Sequence, residues 1–418
     1  MQNVTAIANK KEWNLRLNIL FLIIPFFRPD CIELAGQTLD MAFIVWRVLA
    51  FLLAAYYYFR RFALNKSILL ILLYEIIQIY ASIFNNVSIS TKIINIANFV
   101  ALYMIFSFFS QENSREFINV TYKWLSCLIY MNAILTILFP NGLNRVASDS
   151  GRINFLGKDN TITLYFILMI AFCVLYQNIR PKSKSPFFTV LIVICTELFY
   201  KSGSGLIVIF IISAYLLFFA RNKFVCKLAN ARLLLFLYVG FEIVIVMMNR
   251  IQNLEFVFSI LGKSATFSDR RYYWDQAIKQ FLSSPIWGQG GGTVELWDNG
   301  YYSHNALLDV LLKGGIAAAM VWIVLLYVCM KMGGFKRNRF IQGFFRILMF
   351  SALIYGLMEG LEDRIAFNAL LSLMFVLPEL EKHECLQNIL LKIPITGRNR
   401  ESIRKNEGNT ENSEKCRE

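Results

Sequence analysis

The chain has 418 residues, of which 57% are hydrophobic, 15% are aromatic and only 17% are charged. Soluble domains average about 45–50% apolar and about 25% charged residues, so this composition excludes an ordinary soluble enzyme, a disulfide-rich secreted scaffold and a disordered chain. The net charge of +14 does not indicate a nucleic-acid partner, because the basic residues lie in short clusters between apolar runs and not in one patch. We therefore predict a polytopic membrane protein whose surroundings are the lipid bilayer.

Twelve apolar runs have lengths near the ~17–25 residues that a helix needs to cross a bilayer. In chain order the runs are 13–27, 40–59, 67–85, 92–110, 120–139, 161–178, 186–200, 204–220, 232–249, 303–330, 341–358 and 365–380. The first run is short and contains Arg16, but no small-residue cleavage site follows it, so we expect a retained span and not a signal peptide. The fold class predicted is an all-α membrane protein with twelve spans, or eleven as the alternative count, since no ten-residue alternating segments suggest a barrel.

Lysine and arginine residues are concentrated in every second loop between the apolar runs, and basic loops mark the cytoplasmic side of a membrane. This parity predicts that both termini are cytoplasmic. The membrane domain then covers residues 1–383, with extracytoplasmic loops at about 140–160 and 250–302. The polar tail, 384–418, has mixed charge and no periodic core, which predicts a disordered cytoplasmic extension.

Metal or cofactor chemistry is not indicated by the sequence. The 8 cysteines lie mostly inside apolar runs without a CxxC pair, and the 2 histidines are too few for a histidine-rich site. We read the cysteines as small apolar residues. No cofactor and no metal are expected.

The long external loop contains the most informative pattern. Apolar residues recur at helical spacing over 270–283, which predicts an amphipathic helix that ends at Ser284 and Pro285. The glycines that follow, Gly288 and Gly290–Gly292, predict a flexible connection. Ser303, His304 and Asn305 then precede the tenth span, where Ser303 or Asn305 suits a helix N-cap.

Several of these residues recur together in a known family. The pattern consists of Arg152, Gly157 and Asn160 upstream, then Arg270, Trp274, Ala277, Pro285, Gly288 and Gly290, and finally His304, Asn305, Gly314 and Gly315. In this order the sequence resembles the bacterial O-antigen ligase and O-antigen or capsule polymerase superfamily of polytopic glycosyltransferases. It departs from the family at residues 201–205, where Lys-Ser-Gly-Ser-Gly lacks the arginine of the usual Ser-Arg turn, with Lys201 as a candidate substitute.

The resemblance implies a GT-C-like architecture in the bacterial cytoplasmic membrane, and glycan substrates carried on polyprenyl pyrophosphate at its outer face. It also implies a lipid-linked donor and acceptor, and a flippase and a chain-length regulator as partners. Arginine suits pyrophosphate because its planar fork of donors matches phosphate oxygens. We assign Arg270 to the departing pyrophosphate and His304 to the proton of the acceptor hydroxyl. The candidate substrate-binding residues are Arg152, Arg271, Asn160, Asn305, Lys201 and Arg47.

Structural alternatives stand beside these roles. The arginines could contact lipid headgroups, and His304 could cap a helix. Arg47 lies inside the second span, where Glu75 or Glu242 could neutralise it. Asp309 and Lys313 are spaced for a pair along one helix. A charged group lies between the last two spans and is interpreted as a solvated turn, in preference to a part of the acceptor site. Its members are Glu359, Glu362, Asp363 and Arg364.

The favoured function is polymerisation of lipid-linked repeat units, in O-antigen, capsule or exopolysaccharide biosynthesis. A ligase that transfers the glycan to another acceptor, such as lipid A-core, is the alternative within the family. A polysaccharide flippase or transporter is the alternative from another class. The long external loop with its motif argues against the transporter.

Overall fold

The computed structural model describes residues 2–145, 152–219, 229–248, 268–291, 303–333 and 339–382. Helices dominate these ranges. They are α1 Gln2–Ile23, α2 Gln37–Arg61, α3 Lys66–Phe84, α4 Ser90–Glu112, α5 Ser114–Leu138, α6 Thr163–Ile179, α7 Ser185–Tyr200, α8 Gly203–Ala214, α9 Ala231–Phe241, α10 Ser268–Ser283, α11 Ala306–Met332, α12 Arg339–Gly356 and α13 Ile365–Lys382. A 3-10 helix, Asp30–Ala35, precedes α2, and α8 and α9 continue as π-helical turns at Tyr215–Phe219 and Glu242–Met247.

Each of the twelve predicted runs falls largely on a helix of the described part of the chain. Within the described ranges, five helices are long and apolar enough to cross a membrane, namely α2, α3, α4 from Lys92 onward, α5 and α11. Four more helical stretches are apolar but shorter, and they lie within α6, α7, α8 with its π-helical turn, and α12. The all-α membrane class is therefore confirmed. The number of twelve crossings and the GT-C-like architecture stay predictions.

A small antiparallel sheet lies in the predicted loop 140–160. Its strands are β1 Asn144–Arg145, β2 Arg152–Asn154 and β3 Gly157–Lys158, in the order β1-β2-β3. The backbone N–H of Leu156, in the β2–β3 turn, donates to Asn132 Oδ1 of α5 at 3.2 Å. This contact fixes the sheet over the end of the bundle, close to the start of α6.

The core of the bundle is built around α4, which packs against α13 on one side and α2 on another. Phenylalanine rings from α4, α5 and α6 interlock there in edge-to-face and stacked pairs, and they are Phe106, Phe109, Phe117 and Phe172. Ten large apolar side chains of α2 are exposed. An exposed apolar helix face of this kind suits contact with lipid.

The helix α11 is interrupted near its start, and a loop fills the interruption. Gly315 has φ +63° and ψ −164°, which breaks the helical hydrogen bonding. The segment 285–291, here called the inserted loop, replaces those bonds: Gln289 N–H donates to the Leu312 carbonyl at 2.6 Å, and Ile316 N–H donates to the Pro285 carbonyl at 2.8 Å. Gly291 N–H also donates to Ser82 Oγ of α3 at 2.7 Å. Non-helical backbone inside a membrane protein needs such partners.

The prediction of a flexible glycine connection was wrong for Gly288, Gly290 and Gly291, because these residues are hydrogen-bonded against α3 and α11. Gly292 lies outside the described residues. The rest of the long external loop and the predicted disordered tail, 384–418, also lie outside them. The predictions for these parts are not tested.

Candidate active site

Four segments meet at one end of the helix bundle. They are α10, residues 303–305 at the start of α11, the loop 357–364 between α12 and α13, and the residues around Asn160 before α6. The helix α10 is the amphipathic helix that the sequence predicted, and its apolar side contains Trp274 and Ala277, which are fully buried. It packs against α11, which brings Arg270 close to His304.

Glu359 lies at the centre of this meeting point and is only 2% exposed. Arg270 Nη2 donates to its Oε1 at 2.8 Å, and Asn160 Nδ2 donates to the same oxygen at 3.1 Å. His304 Nδ1 lies 3.5 Å from Oε2, at the outer limit of a hydrogen bond. Three residues that the sequence placed in the site therefore converge on one carboxylate. The prediction of a solvated turn at this position was wrong.

The charge state of Glu359 follows from its neighbours. Burial alone would raise the pKa of this carboxyl, but the approach of His304 Nδ1 and the charges of Arg270, His304 and Arg364 outweigh burial and lower the pKa below its ordinary value. Glu359 is therefore ionised at neutral pH. A buried carboxylate beside an imidazole holds the ring in one orientation and stabilises its protonated form.

His304 combines a strained backbone with a partly exposed ring. Its φ is +52°, in the left-handed region, and its side chain is 23% exposed. The ring of Tyr273 lies 6.1 Å away, centre to centre. Because Nδ1 faces Glu359, Nε2 is on the far side of the ring and is the nitrogen that could accept a proton from a substrate.

Asn160 connects Glu359 to the turn before α8. Its Oδ1 accepts from Ser202 Oγ at 3.3 Å, and its backbone carbonyl accepts from the Tyr355 hydroxyl at 2.7 Å. Ser202 also caps α8 by accepting from the N–H of Gly205. The neighbouring Lys201 is exposed and has a left-handed φ of +54°. The turn that departs from the family pattern thus borders the site through Ser202.

The remaining predicted residues lie in varied surroundings. Asn305 is fully buried and caps α11, as predicted, by accepting from the N–H of Leu308 at 2.7 Å. Arg47 donates to the Pro25 carbonyl at 2.7 Å. Arg152 lies in β2 and Arg271 in α10, while their side chains are outside the described part of the structure.

The ion pairs expected from the sequence are replaced by others. Glu75 pairs with Lys92 at 3.1 Å, and Glu242 accepts from Asn305 at 2.8 Å, so neither is the expected counter-charge of Arg47. Lys313 pairs with Asp363 at 2.7 Å and with Glu362 at 3.2 Å, while Asp309 accepts from Ser303.

A second charged cluster lies beside the site. Glu362 Oε1 accepts from Lys92 at 2.8 Å, and its Oε2 lies 3.2 Å from Lys313, so one carboxylate joins α4 and α11 to the loop 357–364. Burial would raise the pKa of Glu362, but the charges of Lys313 and Lys92 lower it well below its usual range. Sequence reasoning missed Lys92 and the site role of Glu359. The available signals were a lysine at the edge of an apolar run and acidic residues between two predicted spans.

Metal binding finds no support in the described ranges, where no group of three or more His, Cys, Asp or Glu side chains could hold a metal ion. The metal-free chemistry expected from the sequence stays a prediction.

The fold and the site define a helical membrane protein with a histidine, an arginine and a buried carboxylate gathered at one end of its bundle. Residues 187–323 match the model of a protein family described as O-antigen ligase. This segment contains Arg270, His304 and Asn305, whereas Asn160 and Glu359 lie outside it. The match confirms the resemblance, stated from the sequence, to the O-antigen ligase and polymerase superfamily, whose members are membrane enzymes of the glycosyltransferase type. A search of curated proteins gives no match to the chain.

Proposed function

We propose that this protein polymerises oligosaccharide repeat units carried on polyprenyl pyrophosphate, at the outer face of the bacterial cytoplasmic membrane. The observation that carries the proposal is the convergence of Arg270 and His304 on Glu359. The two residues supply the two functions that glycosyl transfer from a pyrophosphate requires, namely a cation for the leaving group and a base for the acceptor. The family match supports glycosyl transfer in general.

In the proposed reaction, a sugar hydroxyl of the incoming lipid-linked unit attacks the anomeric carbon of the growing glycan. The bond between this carbon and the pyrophosphate oxygen breaks, and the pyrophosphate leaves with the electron pair. His304 Nε2 accepts the proton of the attacking hydroxyl, and Glu359 stabilises the imidazolium that forms. Arg270 stabilises the charge that develops on the pyrophosphate, a contact that is strongest in the transition state.

Arg270 can serve both partners because a guanidinium carries five N–H donors in a fixed plane. Its Nη2 contacts Glu359, and the side chain is 19% exposed. The ion pair with Glu359 orients the guanidinium before substrate binds. Asn160 and Lys201 border the same site and are the proposed further contacts to the lipid-linked substrate.

A ligase is the second candidate, because the matched family is described as O-antigen ligase. A ligase would use the same donor chemistry and a different acceptor, such as lipid A-core. The turn at residues 201–205, which lacks the family's arginine, favours the polymerase. A transporter is the candidate from another class, and the buried pair of Lys92 with Glu75 is the observation that favours it.

Purified protein in liposomes separates these functions. With the lipid-linked repeat unit as the only substrate, a polymerase forms a ladder of longer glycans. Transfer that occurs only when a separate acceptor is added would identify a ligase instead. His304→Ala should lower the rate by ~10²–10⁴-fold, the usual loss when a general base is removed.

The transporter is tested in cells that lack the protein. Loss of a polymerase leaves single repeat units on their lipid carrier at the outer face of the membrane. Units trapped at the cytoplasmic face would contradict the glycosyltransferase proposal.

A further inference from the structure

Three consecutive residues at the start of α11 each contact a different carboxylate. Ser303 Oγ donates to Asp309 Oδ1 at 2.6 Å, His304 Nδ1 lies 3.5 Å from Glu359 Oε2, and Asn305 Nδ2 donates to Glu242 Oε2 at 2.8 Å. Only the histidine of the three is partly exposed, since Ser303 and Asn305 are 0% exposed. The outer two residues of this tripeptide are thus anchored inside the protein.

The anchoring explains the backbone of His304. Its φ of +52° is disfavoured for a residue with a Cβ atom, so the surrounding structure must hold it. On one side, Ser303 Oγ accepts from the backbone N–H of Asn305 at 3.2 Å. On the other side, Asn305 Oδ1 accepts from the N–H of Leu308 and fixes the first turn of α11. The left-handed residue between these two contacts turns the imidazole towards Glu359.

Asn305 has no side-chain N–H left to donate to a substrate, and it is 0% exposed. Its oxygen caps α11, one N–H goes to Glu242, and the other goes to the Leu357 carbonyl at 3.1 Å. Leu357 is two residues before Glu359, so the Asn305 amide connects the loop that carries the carboxylate to the helix that follows the histidine. Glu242 begins the π-helical turn after α9 and is 0% exposed, and π-helical turns are common at functional sites.

We propose that Asn305 is a positioning residue. Glu242 holds the Asn305 amide, and Asn305 sets the orientation of His304 relative to Glu359. This inference rests on the proposed function, because it assigns the purpose of the contact to proton transfer by His304. It differs from a substrate-binding role for Asn305 in a measurable way. Loss of positioning lowers kcat and leaves the KM for the lipid-linked substrate unchanged, whereas loss of a substrate contact raises KM.

The test reverses the polarity of the Asn305–Glu242 hydrogen bond. Asn305→Asp keeps an oxygen to cap α11 but places a second carboxyl group against Glu242, and kcat should fall by about tenfold or more. Glu242→Gln should stay near wild type, because the glutamine oxygen still accepts from Asn305. In the double variant, the glutamine amide donates to the new aspartate, so part of the lost kcat should return, with KM within about twofold of wild type throughout. The return is incomplete because the Leu357 carbonyl still lacks the N–H that Asn305 donates to it.

Two further variants complete the test. Glu242→Leu removes the acceptor from the opposite side at similar volume and should reproduce the loss in kcat, even if Asn305→Asp fails to accumulate. Asn230→Asp is the matched control, because Asn230 also caps a helix, α9, but it is exposed and lies at the opposite end of α9 from Glu242. It should leave kcat unchanged.

Three outcomes would each overturn the inference. The first is wild-type kcat in Asn305→Asp, and the second is a raised KM at constant kcat. The third is no recovery of kcat in a double variant that is present at the wild-type level. His304→Ala separates this failure from failure of the proposed function. An inactive His304→Ala with a normal Asn305→Asp rejects positioning alone. A normally active His304→Ala rejects the proposed mechanism.

Discussion

Glu359 is the residue that joins the proposed leaving-group cation to the proposed base. Glu359→Gln keeps the size of the side chain but removes the charge that orients Arg270 and stabilises protonated His304. A hydrogen bond to a charged group contributes about 1.5–3 kcal/mol, so kcat should fall by roughly 10–150-fold. The measurement is the rate of glycan polymerisation by purified protein in liposomes.

Asp363→Asn is the control for this charge removal. Asp363 lies in the same loop and pairs with Lys313, but its side chain is 39% exposed. Its loss should change the rate far less, because ion pairs in contact with solvent contribute little. Equal effects of the two substitutions would contradict a special role for Glu359.

The lowered pKa of Glu359 also predicts how stability depends on pH. An unfolded glutamate has a pKa near 4.3, and the pKa of Glu359 in the folded protein is lowered from this ordinary value. The stabilisation from this carboxylate is therefore complete above the unfolded value and is lost as pH falls through the folded value. The difference in Tm between wild type and Glu359→Gln in detergent should be constant from about pH 7 to 5 and should shrink below about pH 4. A difference that grows towards acid pH would contradict the assignment.

At the residue scale, the sequence predicted the groups with recognisable chemistry and missed their common partner. Arg270, His304 and Asn160 could be chosen because each belongs to a motif with a fixed spacing. Glu359 has no such spacing, and acidic residues between two spans usually face water. The burial of Glu359 depends on the approach of α10 and of the segment before α6. Both are distant from Glu359 in the chain, so the residues around Glu359 do not indicate that it is buried.

At the scale of elements, hydropathy located the helices but could not locate the break in α11. Gly314 and Gly315 read as small residues in an apolar run, and the inserted loop read as a flexible connection. The break becomes favourable only because the loop supplies partners for the backbone at residues 312–317. Hydrogen bonds between distant segments are not visible in periodicity.

The contact between Gly288 and Gly315 holds α10 against α11 and can be tested directly. A Cβ atom on Gly288 would lie 2.6 Å from the Gly315 nitrogen and the Leu312 carbonyl oxygen. Gly288 also has a φ of +72°, a backbone conformation that residues with a side chain rarely adopt. Gly288→Ala should therefore separate the inserted loop from α11 and move Arg270 away from Glu359. We expect a lower Tm and a loss of polymerisation of at least about tenfold.

Gly240→Ala is the matched control, because Gly240 is inside α9 and nothing lies within 4 Å of its added Cβ. This variant should be neutral or slightly more stable, since alanine is favoured over glycine in a helix. Wild-type activity in Gly288→Ala would show that the inserted loop does not position the site.

At the scale of the whole molecule, the loop 357–364 connects two charged clusters. Glu359 contacts the site, and Glu362 three residues later contacts Lys92 and Lys313. Removal of one partner from a buried ion pair leaves an uncompensated charge and is strongly destabilising. The second cluster therefore fixes the loop against α4 and α11. Because Glu359 lies in the same loop, the cluster also fixes the position of Glu359.

The orientation of the molecule in the membrane is the last prediction, and it follows from the parity of the basic loops. The proposed reaction requires the site to face outward, so α10 must lie outside and the loop before α7 inside. Single cysteines replacing Ser283 of α10 and Lys182 before α7, both exposed, are compared in a background without the 8 native cysteines. A membrane-impermeant thiol reagent applied to intact cells should label position 283 alone, and both positions should react after the membrane is opened. Labelling of position 182 in intact cells would place the site at the cytoplasmic face, where the proposed lipid-linked acceptor at the outer face could not reach His304.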